Sequence, residues 1–219
     1  DELILSSAKH RSLYINNLEK YKNKLILSQL KTFNKNIYKF DFSKLKLCNS
    51  KLKNICVVGF PKLIDYNYNN PHYNQFSMLS LEYKLLNDLV KIGYDVTYKI
   101  HPERIYEMDG IFKNLNVKIE TQKFNKVKEN YDLIIFIHHH TTAFGEALLS
   151  NKPIIFIYNS NLIDLNDETI NFLKKRCAFL NTHYSDNLIS LKYDYKDLFY
   201  AIEEARSLTN FSALNEFIS

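Results

Sequence analysis

The chain has 219 residues, of which 46% are hydrophobic and 24% are charged, so its composition is that of a globular protein and not of a disordered one. Its 29 Lys and Arg against 24 Asp and Glu give a net charge of +5, which favours anionic ligands but is too small for a nucleic-acid-binding surface. With only four widely spaced glycines, neither a GxGxxG dinucleotide motif nor a GxxxxGK[ST] phosphate loop can be written. The three cysteines form no CxxC pair, which argues against disulfides and thiolate zinc sites and favours a cytoplasmic location.

Residues 1–49 differ from the rest of the chain. Apolar residues recur at helical spacing between positions 13 and 30, which predicts one or two amphipathic helices, and the alternation over 40–47 allows a short edge strand. No apolar run reaches about 18 residues, so we expect no transmembrane segment. Because the chain starts at Asp1 and not at a methionine, we expect it to be part of a longer protein. We predict a helical segment over 1–49 and one α/β domain over 50–219.

From residue 54 onward, short apolar runs alternate with amphipathic segments. Strands are predicted at 54–60, 95–100, 117–121, 131–137 and 153–158, and a weak one at 188–191. Helices are predicted over 79–90 (ended by Gly93), 104–112, 142–150, 167–179 and 195–207. Near-continuous apolar strands are typical of a parallel sheet that is covered on both faces. The sequence therefore predicts a doubly wound, Rossmann-like parallel sheet of about six strands with helices on both faces, preceded by the N-terminal helical segment.

The unusual polar residues of the chain lie in four of the predicted loops. In an open parallel sheet, ligands bind beyond the carboxyl ends of the strands, where the strand order reverses. If the order is 3-2-1-4-5-6, the loops after strands 1, 2, 4 and 5 meet there. These loops are Gly59-Phe60-Pro61, His101-Pro102-Glu103-Arg104, His138-His139-His140-Thr141-Thr142 and Tyr158-Asn159-Ser160.

The run of three histidines suggests a metal site, but its spacing does not support one. Successive strand side chains point to opposite faces, so His138 and His140 can share a side while His139 cannot. Two imidazoles need a third ligand, and no HExxH or similar spacing supplies it. We therefore expect no metal, and exposed loop histidines are the alternative.

Thr141 and Thr142 stand where a helix is predicted to begin. Free backbone N–H groups, hydroxyls and the positive end of the helix dipole together can bind an anion such as phosphate. The alternative is that either threonine is simply an N-cap. Glu146, one turn further, could accept hydrogen bonds from sugar hydroxyls, or it could be an ordinary solvated carboxylate.

His101-Pro102 ends the second predicted strand. Proline stops the strand and holds the preceding residue extended, which aims the imidazole beyond the edge of the sheet. A histidine there can donate to a leaving phosphate or act as a general acid, and Arg104 and Lys99 would add positive charge. A surface histidine without a function is the alternative.

The segment 131–158, YDLIIFIHHHTTAFGEALLSNKPIIFIY, resembles the carboxyl-terminal half of GT-B glycosyltransferases. Its Glu146-Ala147 followed by Asn151-Lys152-Pro153 is similar to the helix motif of their donor-binding domain, with Asn151 in place of the usual glycine. Together with Lys99-Ile-His-Pro-Glu103, it looks most like bacterial surface-polysaccharide transferases. These include the capsule and lipopolysaccharide enzymes with a His-Pro motif and the CDP-glycerol-type transferases. The similarity covers residues 54–207.

The resemblance implies the donor half of a metal-independent transferase whose substrate is a nucleotide-activated sugar, such as a CMP- or UDP-sugar, or a polyol phosphate. It implies no other cofactor, a glycan or lipid-linked acceptor, and a location at the inner face of the membrane. A second GT-B domain would have to come from outside this chain, because the reaction takes place between two domains. His101 and Glu146 would be catalytic. Gly59, Phe60, Pro102, Arg104, His138, His140, Thr141, Thr142 and Asn159 would bind the donor.

Two other functions fit the same fold. A non-catalytic α/β module that binds a nucleotide or a partner suits the low glycine content and the single domain. A sugar-nucleotide epimerase would need both domains and acid and base carboxylates in a cleft, and the sequence shows no convincing set of these.

Overall fold

The computed structural model describes residues 52–62, 75–139, 141–163, 165–185 and 190–208. Six parallel strands form the main sheet in the order β3-β2-β1-β4-β5-β6. Their bounds are β1 Asn54–Val58, β2 Asp95–Lys99, β3 Val117–Glu120, β4 Leu133–Phe136, β5 Ile154–Tyr158 and β6 Ala178–Asn181. The order reverses between β1 and β4, as in doubly wound folds. The predicted Rossmann-like α/β fold is thus confirmed, and the strand order is the one that the sequence analysis assumed, with a different segment as the sixth strand.

The helices described by the structure are α1 Gln75–Ile92, α2 Phe124–Val127, α3 Thr142–Leu148, α4 Asp167–Lys174 and α5 Tyr195–Ser207. Helix α1 ends where Gly93 takes a φ of 101°, a left-handed conformation that glycine adopts at helix ends without strain. A 3₁₀ turn, Pro102–Arg104, follows β2. Strands β7 His183–Tyr184 and β8 Leu191–Lys192 pair antiparallel in a small second sheet. None of the described helices combines the length and the apolar composition needed to cross a bilayer.

One face of the main sheet packs against α1 and α5. Alternate strand residues such as Val57, Tyr98 and Ile135 lie in one buried cluster with Leu85 of α1 and Leu198 of α5. The spacing of apolar residues in α1 predicts which side of that helix faces the cluster, whereas the strands, which are apolar on both faces, do not show in sequence which of their residues belong to it.

The other face is covered by aromatic rings. Phe144 of α3 contacts Phe136 and Phe156 of β4 and β5, with ring centroids 5.1 and 5.4 Å apart. Phe124 of α2 packs edge-on against Phe136 at 5.8 Å, and Phe179 of β6 packs edge-on against Phe156 at 5.5 Å. Such ring pairs contribute about 0.5–1.5 kcal/mol each beyond the area that they bury. These contacts hold α3, the helix that follows β4, against the sheet.

Two predicted elements differ in the structure. The segment 104–112 is not a helix: it continues the 3₁₀ turn through a series of turns in which Gly110 has a φ of 78°. The sixth strand of the sheet is Ala178–Asn181 and not 188–191, and it begins inside the segment predicted as the end of a helix. The apolar run at 177–180 is as compatible with a helix end as with a short strand, so periodicity alone could not separate them. The structure also adds α2, which no prediction covered.

The predicted N-terminal helical segment, 1–49, with its edge strand at 40–47, lies outside the described residues, as does most of the loop after β1. The division into 1–49 and 50–219 stays a prediction.

Candidate functional site

Strands β2, β1 and β4 end side by side at the carboxyl edge of the sheet. Val58 pairs with Lys99 on one side and with Phe136 on the other. Because neighbouring strands are about 4.8 Å apart, the ends of β2 and β4 lie about 10 Å from each other. The loops that begin at Gly59, His101 and His138 therefore leave the sheet at the same edge, on both sides of the point where the strand order reverses.

A pocket opens at this edge, beyond β4, β5 and β6. It is a shallow recess: the space of about 290 Å³ between its atoms includes open solvent, and the enclosed part is about 20 Å³, little more than one water molecule needs. A ring can enter only if the lining side chains move apart. Its lining residues are Met78, Leu81, Ile137, His138, Ile157, Asn159, Leu162, Ile163, Thr182 and Leu191.

The polar residues of the pocket wall mainly hold its loops in place. The buried Asn159 donates from Nδ2 to the Thr182 carbonyl at 3.0 Å and accepts at Oδ1 from the Asn161 N–H at 2.9 Å. Thr182 also donates from its backbone N–H to the Tyr158 carbonyl at 2.8 Å. The half-buried ring of His138 stacks on that of His139, with centroids 5.5 Å apart. The pocket thus presents mainly aliphatic surface, with an imidazole in its wall.

The loop after β1 is held from below by a group that we call the Glu82 cluster, consisting of Glu82, Tyr98 and Arg104. The Glu82 carboxylate accepts from the Tyr98 hydroxyl at 2.7 Å, from Arg104 Nη1 at 3.0 Å and from the Phe60 N–H at 3.2 Å. Arg104 Nη1 also donates to the Phe60 carbonyl at 3.2 Å. Both polar groups of the Phe60 backbone are therefore fixed by side chains of α1 and of the 3₁₀ turn.

The close packing of this cluster explains Gly59. A Cβ atom at position 59 would overlap the Tyr98 hydroxyl and approach Glu82, so only glycine lets the backbone pass. Phe60 is fully buried, with the Arg104 guanidinium 3.6 Å from the centre of its ring. In the structure, Gly59 and Phe60 determine the path of the loop after β1. Their predicted roles in donor binding stay predictions.

Arg104 is placed differently from what the sequence suggested. Its side chain is 1% exposed and forms an ion pair with Glu82, so the guanidinium is held inside the protein and is not presented at the edge. Burial raises the pKa of Glu82 to about 7, even though Arg104 and the hydrogen bonds from Arg104, Tyr98 and Phe60 act to lower it. Any effect of Arg104 on a ligand would be indirect, through the two loops that it joins.

His101 lies at the start of the 3₁₀ turn, with Pro102 in the first position of that turn, as the His-Pro pattern predicts. Its backbone is extended, at φ −69° and ψ 136°, and its side chain is 27% exposed. Nδ1 accepts weakly from the Glu103 N–H at 3.4 Å. Burial lowers the pKa of His101; Glu103 raises it, and the charges of Lys99 and Arg104 lower it further. His101 is thus predominantly neutral at pH 7 and can both donate and accept a hydrogen bond.

At the start of α3, one of the two threonines is a helix N-cap, which is the alternative to anion binding that the sequence analysis gave. Thr141 is the N-cap, and its hydroxyl accepts from the Phe144 N–H at 3.2 Å. Thr142 is the first helical residue and is exposed. Glu146 is half-buried, and its Oε2 has no hydrogen-bond partner within the described part of the chain. His140 is not among the described residues. Whether Thr141 and Thr142 share a ligand with His101 stays a prediction.

A buried arginine holds the turn between α3 and β5. Arg176 is fully buried and donates to the carbonyls of Leu148 at 3.1 Å, Ser150 at 2.6 Å and Lys152 at 2.9 Å. The last carbonyls of a helix have no partner within the helix, and a cation there also interacts favourably with the helix dipole. Burial lowers the pKa of Arg176 from its usual range. The segment that carries the Asn151-Lys152-Pro153 motif is therefore fixed by a residue from beyond β5.

Comparisons of the chain with protein families, with curated proteins and with solved structures find no significant match. The residues that the structure describes include no group of three or more His, Cys, Asp or Glu side chains arranged to hold a metal ion. The interpretation of the site therefore depends on its own geometry.

Sequence reasoning missed most of the pocket wall. Met78 and Leu81 read as ordinary members of the apolar stripe of α1, and Leu191 lies in a segment that was predicted as a strand of the main sheet. Glu82 and Tyr98 carry no motif. The sequence did offer one signal for this edge, Lys99, a cation at the end of a strand in which Val96 and Tyr98 are buried, because lysine is rarely buried unless it is paired.

Proposed function

We propose that this domain binds an activated nucleotide donor at the carboxyl edge of its sheet. It would be the donor-binding part of a GT-B-like transferase that moves a sugar or polyol phosphate to a surface-polysaccharide acceptor. The observation that supports the proposal is the 3-2-1-4-5-6 strand order, with an apolar pocket and the His101 turn on the two sides of its reversal point. Folds of this kind bind nucleotides at that point.

The two sides of the edge suit two parts of one ligand. The pocket beyond β4, β5 and β6 offers the apolar side chains of Met78, Leu81 and Ile157, against which a planar ring such as a nucleobase would pack once these side chains move apart. The turn after β2 offers His101, which is neutral at pH 7 and donates a hydrogen bond to a phosphate oxygen. The distance of about 10 Å between the ends of β2 and β4 is one that a nucleoside phosphate can span.

The chemistry that follows is stabilisation of the leaving nucleotide. Negative charge grows on the departing phosphate, and hydrogen-bond donors placed beforehand at that position lower the barrier. Glu146 would accept hydrogen bonds from hydroxyl groups of the donor through its unpartnered oxygen. The acceptor and any catalytic base would come from a second domain.

Calorimetric titration of the protein with CMP and UDP, and with cytidine and uridine, tests this proposal. We expect nucleotides to bind more tightly than nucleosides. His101→Ala and Thr142→Ala should weaken nucleotide binding by about tenfold and about threefold, since hydrogen bonds to charged groups are worth about 1.5–3 kcal/mol and weaker ones less. Thr169→Ala on α4 is the control and should change nothing, since its side chain lies outside the candidate site.

A second substitution tests the pocket. Leu162→Trp, on the half-buried loop after β5, should fill the pocket and weaken nucleosides and nucleotides alike. Lack of nucleotide binding by the unaltered protein, or unchanged affinity in both His101→Ala and Thr142→Ala, would overturn the proposal. Binding without donor hydrolysis or transfer by a longer form of the protein would favour the non-catalytic module instead.

A further inference from the structure

Lys99 is a buried cation at the carboxyl edge of the sheet. It is the last residue of β2, and only 5% of its surface is exposed. Its ammonium group donates to the Ile100 carbonyl at 2.9 Å. Within the described part of the chain this is the only hydrogen bond of Nζ, and no carboxylate lies within ion-pair distance of it. An ammonium has three donors, so two remain available.

None of the carboxylates described at this edge forms an ion pair with Lys99, although the Glu120 charge acts on it from a greater distance. Arg104 is paired with Glu82. Glu103 faces His101 at 3.5 Å, and the Glu120 carboxylate accepts from the Gln122 N–H at 2.7 Å. A buried ammonium with a single neutral acceptor is destabilising unless a ligand supplies the missing charge and acceptors.

Lys99 and His101 act on each other electrostatically. Burial lowers the pKa of Lys99, while Cys56 of β1 and Glu120 of β3 act to raise it. The charge of Lys99 in turn lowers the pKa of His101, as does Arg104, while Glu103 raises it. At this position Lys99 therefore provides a positive charge, and His101 provides a neutral hydrogen-bond donor.

We propose that Lys99 and His101 form an anion subsite at the carboxyl end of β2, which takes a phosphate group. This inference rests on the proposed function in that the phosphate would belong to the nucleotide donor. Lys99, not Arg104, then supplies the positive charge of the site. The flexible four-carbon stem lets the ammonium turn from the Ile100 carbonyl towards the anion.

The test uses Lys99→Met, which keeps the apolar stem and removes the charge. Lys118→Met is the matched control, because Lys118 is an exposed lysine on the neighbouring strand β3. The probes are inorganic phosphate, CMP and uridine. Two quantities are measured: the imidazole resonances of His101 by NMR as a function of pH and phosphate, and the affinity for CMP by calorimetry.

For the unaltered protein we expect phosphate to shift the His101 resonances and to raise the pKa of that group, because a bound anion favours the protonated imidazole. In Lys99→Met the pKa of free His101 should rise, because a neighbouring positive charge is lost. The response to phosphate should disappear, and CMP affinity should fall about tenfold or more. Uridine binding should be the same in all variants. Lys99→Met should melt at the same temperature as the unaltered protein or higher, which shows that it folds.

The outcomes separate the two proposals. Nucleotide binding that is equal in Lys99→Met and Lys118→Met would overturn the subsite and leave the proposed function standing. A Lys99-dependent response of His101 to inorganic phosphate, without any binding of CMP or UDP, would support the subsite and overturn the proposed function. A His101 resonance that ignores phosphate and CMP in the unaltered protein would overturn the subsite.

Discussion

Removing either charge of the Glu82 cluster should destabilise the domain, and the two losses should respond differently to pH. In Arg104→Met the Glu82 carboxylate loses its cation, and in Glu82→Gln the Arg104 guanidinium loses its anion. At the observed separation of 3.0 Å and an effective dielectric constant of about 20, the attraction between the charges is about 5 kcal/mol. Breaking a buried pair from one side usually costs about 3–5 kcal/mol, so we expect a loss of that size for Arg104→Met at pH 8 and a smaller one for Glu82→Gln, whose amide carries no charge to bury.

The pH dependence follows from the pKa of Glu82. Burial already raises it to about 7 from 4.5 for an exposed glutamate, so the carboxyl holds its proton more strongly in the folded chain than in the unfolded one. The stability that this proton provides is complete below about pH 4.5 and is lost as the pH rises through about 7. Without Arg104 the pKa rises further, so the loss in Arg104→Met should shrink as the pH falls from 8 to 5. The amide in Glu82→Gln does not titrate and keeps the stability that Glu82 loses as the pH rises, so the loss in that variant should be largest at pH 5 and shrink towards pH 8.

Urea unfolding of the full chain between pH 5 and pH 8, followed by circular dichroism, measures both effects. In the double variant Glu82→Gln/Arg104→Met the total loss should be about 2–3 kcal/mol smaller than the sum of the single losses. Lys53→Met is the control: its ion pair with Asp95 is largely exposed, and its loss should be at most about 1 kcal/mol. Additive single losses, or an Arg104→Met loss that is constant with pH, would refute the reasoning.

Three further predictions concern stability measured in the same way. Arg176→Met should cost about 3 kcal/mol or more, because several buried carbonyls lose their donor; a loss below about 1 kcal/mol would contradict this. Gly93→Ala should cost about 1 kcal/mol because of its positive φ, whereas Gly145→Ala, in a helix with open space around the added methyl group, should stabilise by about 0.5–1 kcal/mol; equal signs for the two would count against the backbone argument. Gly59→Ala should cost at least about 2 kcal/mol through overlap with the Tyr98 hydroxyl, and adding Tyr98→Phe should recover part of that loss; no recovery would point to another cause.

The strands of this domain were predictable because they are buried on both faces. Runs such as 133–136 and 154–157 are apolar throughout, and only a strand in a covered parallel sheet needs that. The end of α1 was predictable for a local reason, because glycine at position 93 is what a helix end with positive φ requires. The sixth strand was not, since four apolar residues after Arg176 fit a helix end equally well.

The candidate site was only partly predictable, because its construction depends on contacts between distant segments. The position of His101 follows from Pro102 and the end of a strand, which are local features. The pairing of Arg104 with Glu82 joins residues 22 positions apart, and no pattern shows whether a charged residue will find such a partner. The sequence therefore suggests which loops meet, but not that Arg104 is paired below them while Lys99 is left with two donors.

The contacts of Arg176 also bear on synthesis of the protein at the ribosome. When β5 has emerged, five of the six strands exist, yet the carbonyls of Leu148, Ser150 and Lys152 still lack the guanidinium that completes them. A product cut short before position 176 would therefore not be a smaller functional domain but a chain with an unfinished interior, exposed to proteases and chaperones.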